Sequence, residues 1–266
     1  MDLGLKGKTV IVTGGASNIG RAICKTFGGE EANVSLVDID EENATKVAQM
    51  VRNGGGKAKF IKADVTKYSE AERVIKETLD EFGSIDILVN NVGWDDFYLF
   101  TEIPPEKYNR YLDMNLLHVF YFVRAVLPLM IKKKEGSIIN IGSDAGRVGE
   151  ARESIYAAAK GGVIAFTKNT ARESGRFGIR CNCICPGATV PPEEEMGKES
   201  LFRQERVRNM LSPETLEKTK AMYPLRRLEG LGKAEDIANM VVFVASSRCG
   251  WLTGQTISVS GGYSMM

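Results

Sequence analysis

The chain has 266 residues, 43% apolar and 26% charged, with 35 Lys and Arg against 34 Asp and Glu and a net charge of +1. That balance excludes a disordered chain, and the even spread of basic residues excludes a polycationic binder of nucleic acid or anionic membrane. The five cysteines are odd in number and scattered through a large chain, which does not read as a disulfide framework.

Met1–Lys6 leads straight into a strand pattern without the apolar core of a secretion signal. No uninterrupted apolar run approaches the roughly 20 residues of a membrane span. A soluble cytoplasmic protein, with neither membrane nor nucleic acid as partner, is the expectation.

Lys8–Thr13 (KTVIVT) predicts a buried strand, and Ile19–Glu30 predicts a helix. Between them runs Thr13-Gly14-Gly15-Ala16-Ser17-Asn18-Ile19-Gly20. Glycines there permit a tight turn and let backbone N–H groups approach a pyrophosphate at the helix N-terminus. Ordinary βα turns also use glycine, so position after the first strand is the stronger signal. Asn33–Asp38 predicts the second strand. Asp38 closes it, where a carboxylate accepts from a ribose 2′-hydroxyl and repels a 2′-phosphate, favouring NAD over NADP. The alternative for Asp38 is a turn or capping aspartate before the helix Glu41–Val51.

Ala58–Ala63, Ile85–Asn90, Ser137–Ile141, Ile179–Cys185 and Thr256–Val259 predict further strands. Helices are predicted over Ser69–Phe82, most of Pro104–Lys134, Ser154–Arg176 and Ala234–Ala245. The strands are apolar throughout instead of alternating, the signature of strands buried on both faces in a parallel sheet. With the strand–helix rhythm this predicts an α/β fold: a single doubly wound parallel sheet of the Rossmann type, about seven strands with helices on both faces. Residues 1–266 read as one such domain, and the long polar stretch Pro191–Tyr223 reads as a substrate lid within it.

Two residues of the Ser154–Arg176 helix, Tyr156 and Lys160, are four apart and share a face. A lysine cation beside a phenol stabilises phenolate, which then takes a proton from an alcohol as hydride departs. Ser143 follows a strand end, where its hydroxyl can hold the substrate oxygen. Singly, each residue has an ordinary reading: a solvated Tyr–Lys pair and a strand-end serine. Together, downstream of a dinucleotide turn, they point to alcohol dehydrogenation. His118, the only histidine, sits in an apolar stretch and reads as a packed or capped residue, not a base. Cys181, Cys183 and Cys185 alternate onto one strand face and read as small buried groups, with no metal site expected.

Three features bear on substrate. Trp94-Asp95-Asp96-Phe97-Tyr98 either lines a pocket or packs in a core or oligomer contact. Arg147 and Arg152 either hold a carboxyl-derived group or are solvated. Lys198, Arg203, Arg206 and Arg208 either meet the phosphates of an acyl carrier or form a mixed-charge surface.

Thr13-Gly14, Ile19-Gly20, Asp64-Val65, Asn90-Asn91-Val92-Gly93, Asn115, Ser143, Tyr156-x-x-x-Lys160 and Pro186-Gly187 occur in order, and with them the chain resembles the short-chain dehydrogenase/reductase family from Leu5 to Gly262. The resemblance implies a cofactor site of Gly14, Ser17, Asn18, Ile19, Gly20, Asp38, Ile39, Asp64, Val65, Asn91, Gly93, Pro186, Gly187 and Thr189, with Tyr156 and Lys160. In it Asp64 and Val65 lie beside adenine, Asn90 and Gly93 lie along the cofactor, and Pro186, Gly187 and Thr189 lie near the nicotinamide. It also implies that Asn115 relays protons to Lys160, and that the protein is a tetramer of identical or paralogous subunits. Two positions depart from the family: Asn18 stands for a usual glycine, and Pro191 for a threonine that Thr189 can replace.

The stretches Asn90–Asp95 and Gly142–Gly149 further resemble dehydrogenases of hydroxyacyl-CoA thioesters derived from cyclic or aromatic acids, such as 2-hydroxycyclohexanecarboxyl-CoA or (hydroxybenzyl)succinyl-CoA. The expected activity is NAD-dependent oxidation of a β-hydroxyacyl-CoA to the β-oxoacyl-CoA, a small-molecule substrate, with Trp94, Arg147 and Arg152 as substrate contacts. The alternatives are reduction of a 3-oxoacyl group on acyl-carrier protein and a non-catalytic scaffold subunit.

Overall fold

The structure is a computed structural model that describes residues 1–197, 200–210, 212–225 and 231–266. In chain order the elements are β1 Thr9–Thr13, α1 Asn18–Gly29, β2 Asn33–Asp38, α2 Glu41–Asn53, β3 Lys57–Lys62, α3 Tyr68–Phe82 and β4 Ile87–Asn90. Then come α4 Tyr108–Leu112, a π-helical turn Asp113–Leu117, α5 His118–Lys133, β5 Gly136–Ile141, α6 Ala145–Val148, α7 Ser154–Ser174 and β6 Ile179–Pro186. The rest are α8 Glu205–Met210, α9 Pro213–Ala221, α10 Ala234–Ala245 and β7 Thr256–Val259.

Among the described residues seven strands pair in parallel, in the order β3-β2-β1-β4-β5-β6-β7. The chain reverses direction across the sheet between β1 and β4, and the crevice at such a switch point is where open α/β sheets hold ligands. Successive residues of β1 go to opposite layers. Val10 and Val12 pack with Ile23, Phe27 and Val241 beneath α1 and α10, while Ile11 joins Leu88, Phe122 and Ile138 beneath α5. A strand buried on both sides must be apolar at every position, which is why KTVIVT shows no alternation. The strand expected from Ile85 begins at Ile87 instead: Asp86 accepts from the Thr9 N–H at 2.8 Å and is gripped by the Lys133 ammonium, so it ties β4 to β1 before the ladder starts.

One helical stretch, Pro105–Lys133, is long and apolar enough to cross a bilayer by composition. Arg124 and Pro128 break its apolar run in the sequence, so a count of uninterrupted apolar residues misses it. Val119, Phe122, Val123, Val126 and Met130 are buried against the sheet, the pattern of a core helix. Cys181, Cys183 and Cys185 share that layer, with the Cys183 and Cys185 sulfurs 3.9 Å apart. A Cβ at Gly142 would lie 2.6 Å from one and 2.9 Å from the other, so glycine there leaves room for both.

His118 is fully buried, with Nε2 3.1 Å from the Val92 carbonyl and Nδ1 without a partner among the described residues. Burial, with the nearby Lys160 cation, pushes its pKa down to about 3. Because the folded value lies below the unfolded one, the unfolded chain binds the extra proton as pH falls below about 6.5. Stability is therefore expected to decline by up to about 1.4 kcal/mol per pH unit from this group between the two values. Since the chain has one histidine, its NMR spectrum is expected to show a single imidazole signal that does not move from about pH 8 to about pH 5. A midpoint near about 6.5 would mean a solvated ring.

Candidate active site

The turn between β1 and α1 is built for close approach. Gly14 has φ +64°, and a Cβ on Gly20 would lie 1.9 Å from the Gly14 carbonyl oxygen, so only glycine lets the first turn of α1 sit on the strand end. Asn91 fastens the same turn. Its side-chain amide donates to the Thr13 and Gly14 carbonyls at 3.1 Å each, and its N–H donates to the Thr13 hydroxyl at 3.0 Å. Asn18, where a glycine is usual, adopts φ +43°, which asparagine tolerates better than most residues. Among the described residues the helix N-terminus is chemically open: Ser17 makes no side-chain capping bond, and the buried Asn18 Oδ1 has no partner. Orphan N–H groups there suit an anion such as a pyrophosphate.

Asp38 closes β2 beside this turn. Oδ2 accepts from the Ala16 N–H at 2.9 Å, and Oδ1 accepts from Ile39 at 2.7 Å and Asp40 at 3.0 Å. Burial pushes the carboxyl pKa up, and those three N–H donors oppose the shift. Asp38 thus shapes the turn before α2 and ties it to the glycine turn through Ala16. These residues fit a dinucleotide.

Lys160 is 2% exposed, and its ammonium donates to the Ile141 carbonyl at 2.9 Å and the Val92 carbonyl at 3.5 Å. Burial pushes its pKa down to about 8. The ammonium lies 5.8 Å from the centre of the Tyr156 ring, one turn back along α7. The Ser143 hydroxyl stands near the phenol and accepts from the Ala145 N–H at 3.1 Å. Burial, then the Glu153 carboxylate, push the Tyr156 pKa up, and the Ser143 bond works against them. A Cβ on Gly146 would lie 2.7 Å from the Gly161 nitrogen, so glycine lets α6 close on α7 and holds Ser143 beside the Tyr156 face.

Asn115 sits in the π turn, where the wider wind disturbs the ordinary ladder. Its Oδ1 accepts from the Trp94 N–H at 2.9 Å, and its amide donates to the Trp94 and Tyr111 carbonyls at 2.7 and 2.9 Å. A Cβ on Gly93 would lie 3.3 Å from the Lys160 ammonium and 3.4 Å from Asn115 Oδ1. Asn115 therefore clamps residues 93–95 against Lys160. The π turn itself carries no signal in the apolar periodicity.

The other expected site residues make local contacts of their own. The Asn90 side chain is fully buried and donates to Asn140 at 2.8 Å inside the sheet, so it is Asn91, not Asn90, that reaches the turn. Asp64 accepts from the Thr66 hydroxyl at 2.6 Å and pairs with Lys67 at 3.2 Å, and Val65 is buried in the α3 layer. The Thr189 hydroxyl donates to the Gly187 carbonyl at 3.2 Å. Pro186 ends β6, and a Cβ on Gly187 would meet Ser260 at 2.7 Å.

The arginines are engaged within the protein. Arg147 faces Asp144 at 3.7 Å, and Arg152 faces Glu102 at 4.0 Å. Arg203 donates to the Gly197 and Met196 carbonyls of its own segment, and Arg208 lies 4.0 Å from Glu193. Arg206 donates to the Phe97 carbonyl at 3.2 Å and covers the Tyr98 ring at 3.7 Å. Lys198 lies outside the described residues. The Trp94 ring packs between Arg110 at 4.4 Å and Tyr111 at 5.0 Å.

A family model described as short chain dehydrogenase matches residues 8–199. A Thermotoga maritima protein named an uncharacterized oxidoreductase is 33% identical over 261 residues, covering 98% of each chain. A 3-oxoacyl-[acyl-carrier-protein] reductase of Vibrio cholerae is 36% identical over 264 residues, 99% of this chain and 100% of that one. Its counterpart from Chlamydia pneumoniae is 34% identical over 262 residues, 98% and 99% of the two chains.

The Gly20 contact sets a test. In Gly20→Ala the methyl group must displace the Gly14 carbonyl, and overpacking of this kind costs about 1–3 kcal/mol. A shift that costs binding even about 1.4 kcal/mol weakens it about tenfold. Gly29→Ala meets nothing within 4 Å and is the control. Thermal unfolding and NADH titration are expected to show losses for the first variant only; equal behaviour of both would mean that the turn is loose.

Proposed function

The chain belongs to the short-chain dehydrogenase family, and from that premise we propose that it oxidises a β-hydroxyacyl thioester bearing a cyclic or aromatic acyl group, with NAD, to the β-oxoacyl thioester. The observation that carries the reading is the meeting of Ser143, Tyr156 and Lys160 at the carboxyl end of the sheet, beside the glycine turn and Asp38. Bound nicotinamide supplies the hydride acceptor.

The residues divide the remaining work. Ser143, already beside the phenol, donates to the substrate oxygen and orients the alcohol O–H toward Tyr156 Oη. Tyr156 takes the alcohol proton as base. In the protein without cofactor its pKa is raised, so the phenolate depends on positive charge brought near. Lys160 is the chain's own contribution, and Val92 and Ile141 hold its ammonium in place. Asn115 positions Gly93 and Trp94 against that lysine. Asp38 accepts from ribose hydroxyls and repels a 2′-phosphate, which supports NAD. Trp94 stands one residue beyond Gly93, which supports a ring-bearing acyl group.

The second reading is reduction of a 3-oxoacyl group carried on acyl-carrier protein. It is favoured by the names of the Vibrio cholerae and Chlamydia pneumoniae relatives and opposed by the Asp38 carboxylate.

Two outcomes test the reading. Tyr156→Phe is expected to lower kcat for NAD-linked oxidation by about 10²–10⁴-fold while NAD still binds. Because the phenol must lose its proton, kcat/KM for oxidation is expected to rise with pH on the alkaline side. Asp38→Ala is expected to narrow the preference for NAD over NADP. Steady-state rates with NAD and NADP on a panel of hydroxyacyl-CoA thioesters decide it: a preference for NADP in the unaltered protein favours the carrier-protein reading, and NAD binding without thioester turnover removes the substrate class.

A further inference from the structure

The turn that carries Ser143 is tied to the sheet on both sides. Before it, the Gly142 N–H donates to the Ile184 carbonyl at 2.8 Å; after it, the Asp144 N–H donates to the Pro186 carbonyl at 3.3 Å. The backbone therefore rests on the end of β6. The Asp144 side chain is 2% exposed and reaches past β6 to β7, where its Oδ2 accepts from the Ser258 hydroxyl at 2.6 Å. That bond is short, as hydroxyl–carboxylate bonds are.

Ser258 has one hydroxyl proton, and it goes to the carboxylate. The Ser260 hydroxyl, 2.8 Å away, is then the donor to Ser258. Ser260 in turn accepts from the Ser264 N–H at 3.4 Å. A row of hydroxyls along the end of β7 thus terminates on Asp144.

An aspartate at this position has an ordinary use that it does not serve here. Asp144 immediately precedes α6, where an Asp side chain commonly accepts from the first free N–H groups of the helix. It makes no side-chain capping bond. Ser143 takes that part, accepting from the Ala145 N–H. A structural ion pair does not account for Asp144 either. Arg147 lies 3.7 Å from Oδ1, beyond hydrogen-bond reach, and Oδ1 is buried with no hydrogen-bond partner among the described residues. Burying a carboxylate on so few donors costs stability, and its effect falls on the residue beside it.

With the Ala145 N–H on its oxygen, the Ser143 hydroxyl has its own proton left to donate. The adjacent residue offers a competing acceptor, the Asp144 carboxylate, and Ser258 holds that carboxylate turned to β7. We infer that Asp144 is a positioning residue: its bond to Ser258 fixes the turn so that the Ser143 O–H points at the oxygen of the bound alcohol. This rests on Ser143 holding the substrate oxygen and deepens that reading. Asp144 acts through Ser143 and not on the substrate itself.

The test is steady-state oxidation of 2-hydroxycyclohexanecarboxyl-CoA and of cyclohexanol with NAD. The variants are Asp144→Ala, Asp144→Asn, Ser258→Ala and Ser143→Ala, with Asp144→Ala and Ser258→Ala also combined with Ser143→Ala. Asp144→Ala is expected to lower kcat about 10–100-fold, the scale of a misplaced reacting group, with the Kd for NADH unchanged. Ser258→Ala removes one hydroxyl from the same bond and is expected to lower kcat in the same direction; it carries the test where Asp144→Ala does not fold. Asp144→Asn keeps an oxygen that accepts from Ser258 and is expected to recover most of kcat. On the Ser143→Ala background neither Asp144→Ala nor Ser258→Ala is expected to lower kcat further, since residues that act as one unit are not additive.

Losses that add in full to that of Ser143→Ala overturn the proposal, as does Asp144→Asn as slow as Asp144→Ala; either result leaves the role of Ser143 in place. A fall in Tm with kcat kept also overturns it and leaves a purely structural aspartate. Turnover of cyclohexanol without turnover of the thioester removes the acyl-CoA substrate, while the coupling of Asp144 to Ser143 is still measured on the simpler alcohol. Unchanged kcat in Ser143→Ala, or no turnover of either alcohol, removes the reading of Ser143 and this proposal together.

Discussion

A buried ammonium held by backbone carbonyls is the constraint on which the rest of the site depends. Lys160 is withdrawn from water, yet among the described residues its partners are two strand-end carbonyls and no carboxylate. Isolated charges are costly inside proteins, and carbonyl dipoles at the ends of two parallel strands offset part of that cost without cancelling the charge. An ion pair would have fixed the lysine more cheaply but left no net positive charge for Tyr156. The surrounding glycines follow from this choice. Gly93 lets the backbone after β4 pass close to the ammonium, and Gly146 lets α6 close down on α7 at that same lysine.

A second consequence is that the polar residues of the sheet edge are sorted by reach. Asn90 turns into the sheet and donates to Asn140, which in turn donates to Thr167, a buried ladder joining β4, β5 and α7. Its neighbour Asn91 turns the other way and ties β4 to the glycine turn. Adjacent residues of identical chemistry thus serve different layers, because successive side chains on a strand point to opposite sides.

That sorting explains what the sequence discloses. Strands buried on both faces are legible as apolar runs, and the Tyr156–Lys160 spacing is legible because an α-helix places such residues on one face. The left-handed Asn18 is legible because few residues other than glycine accept that backbone. The direction of Asn90 is not, since two successive asparagines at a strand end look alike until the pleat is fixed. The engagement of Arg147, Arg152 and Arg206 is not, since it depends on which carboxylates and carbonyls the loops bring near. The segment after Pro191 is legible as an excursion, but not its anchorage: Glu195 meets Arg21 at 2.5 Å, and a Cβ on Gly197 would lie 3.0 Å from the Ser17 hydroxyl.

The π turn at Asp113–Leu117 has a consequence of its own. Single π turns are equivalent to one residue inserted into an α-helix. Each residue of an α-helix advances the side-chain direction by about 100°. Removing one residue between Leu112 and Asn115 would restore a regular helix and keep α5 packed against the sheet, yet it would swing the Asn115 amide away from Trp94. The clamp on residues 93–95 is thus encoded in the length of the segment as much as in its chemistry, and a homologue that has lost the extra residue would need a different residue to do the clamping, even with Tyr156 and Lys160 unchanged.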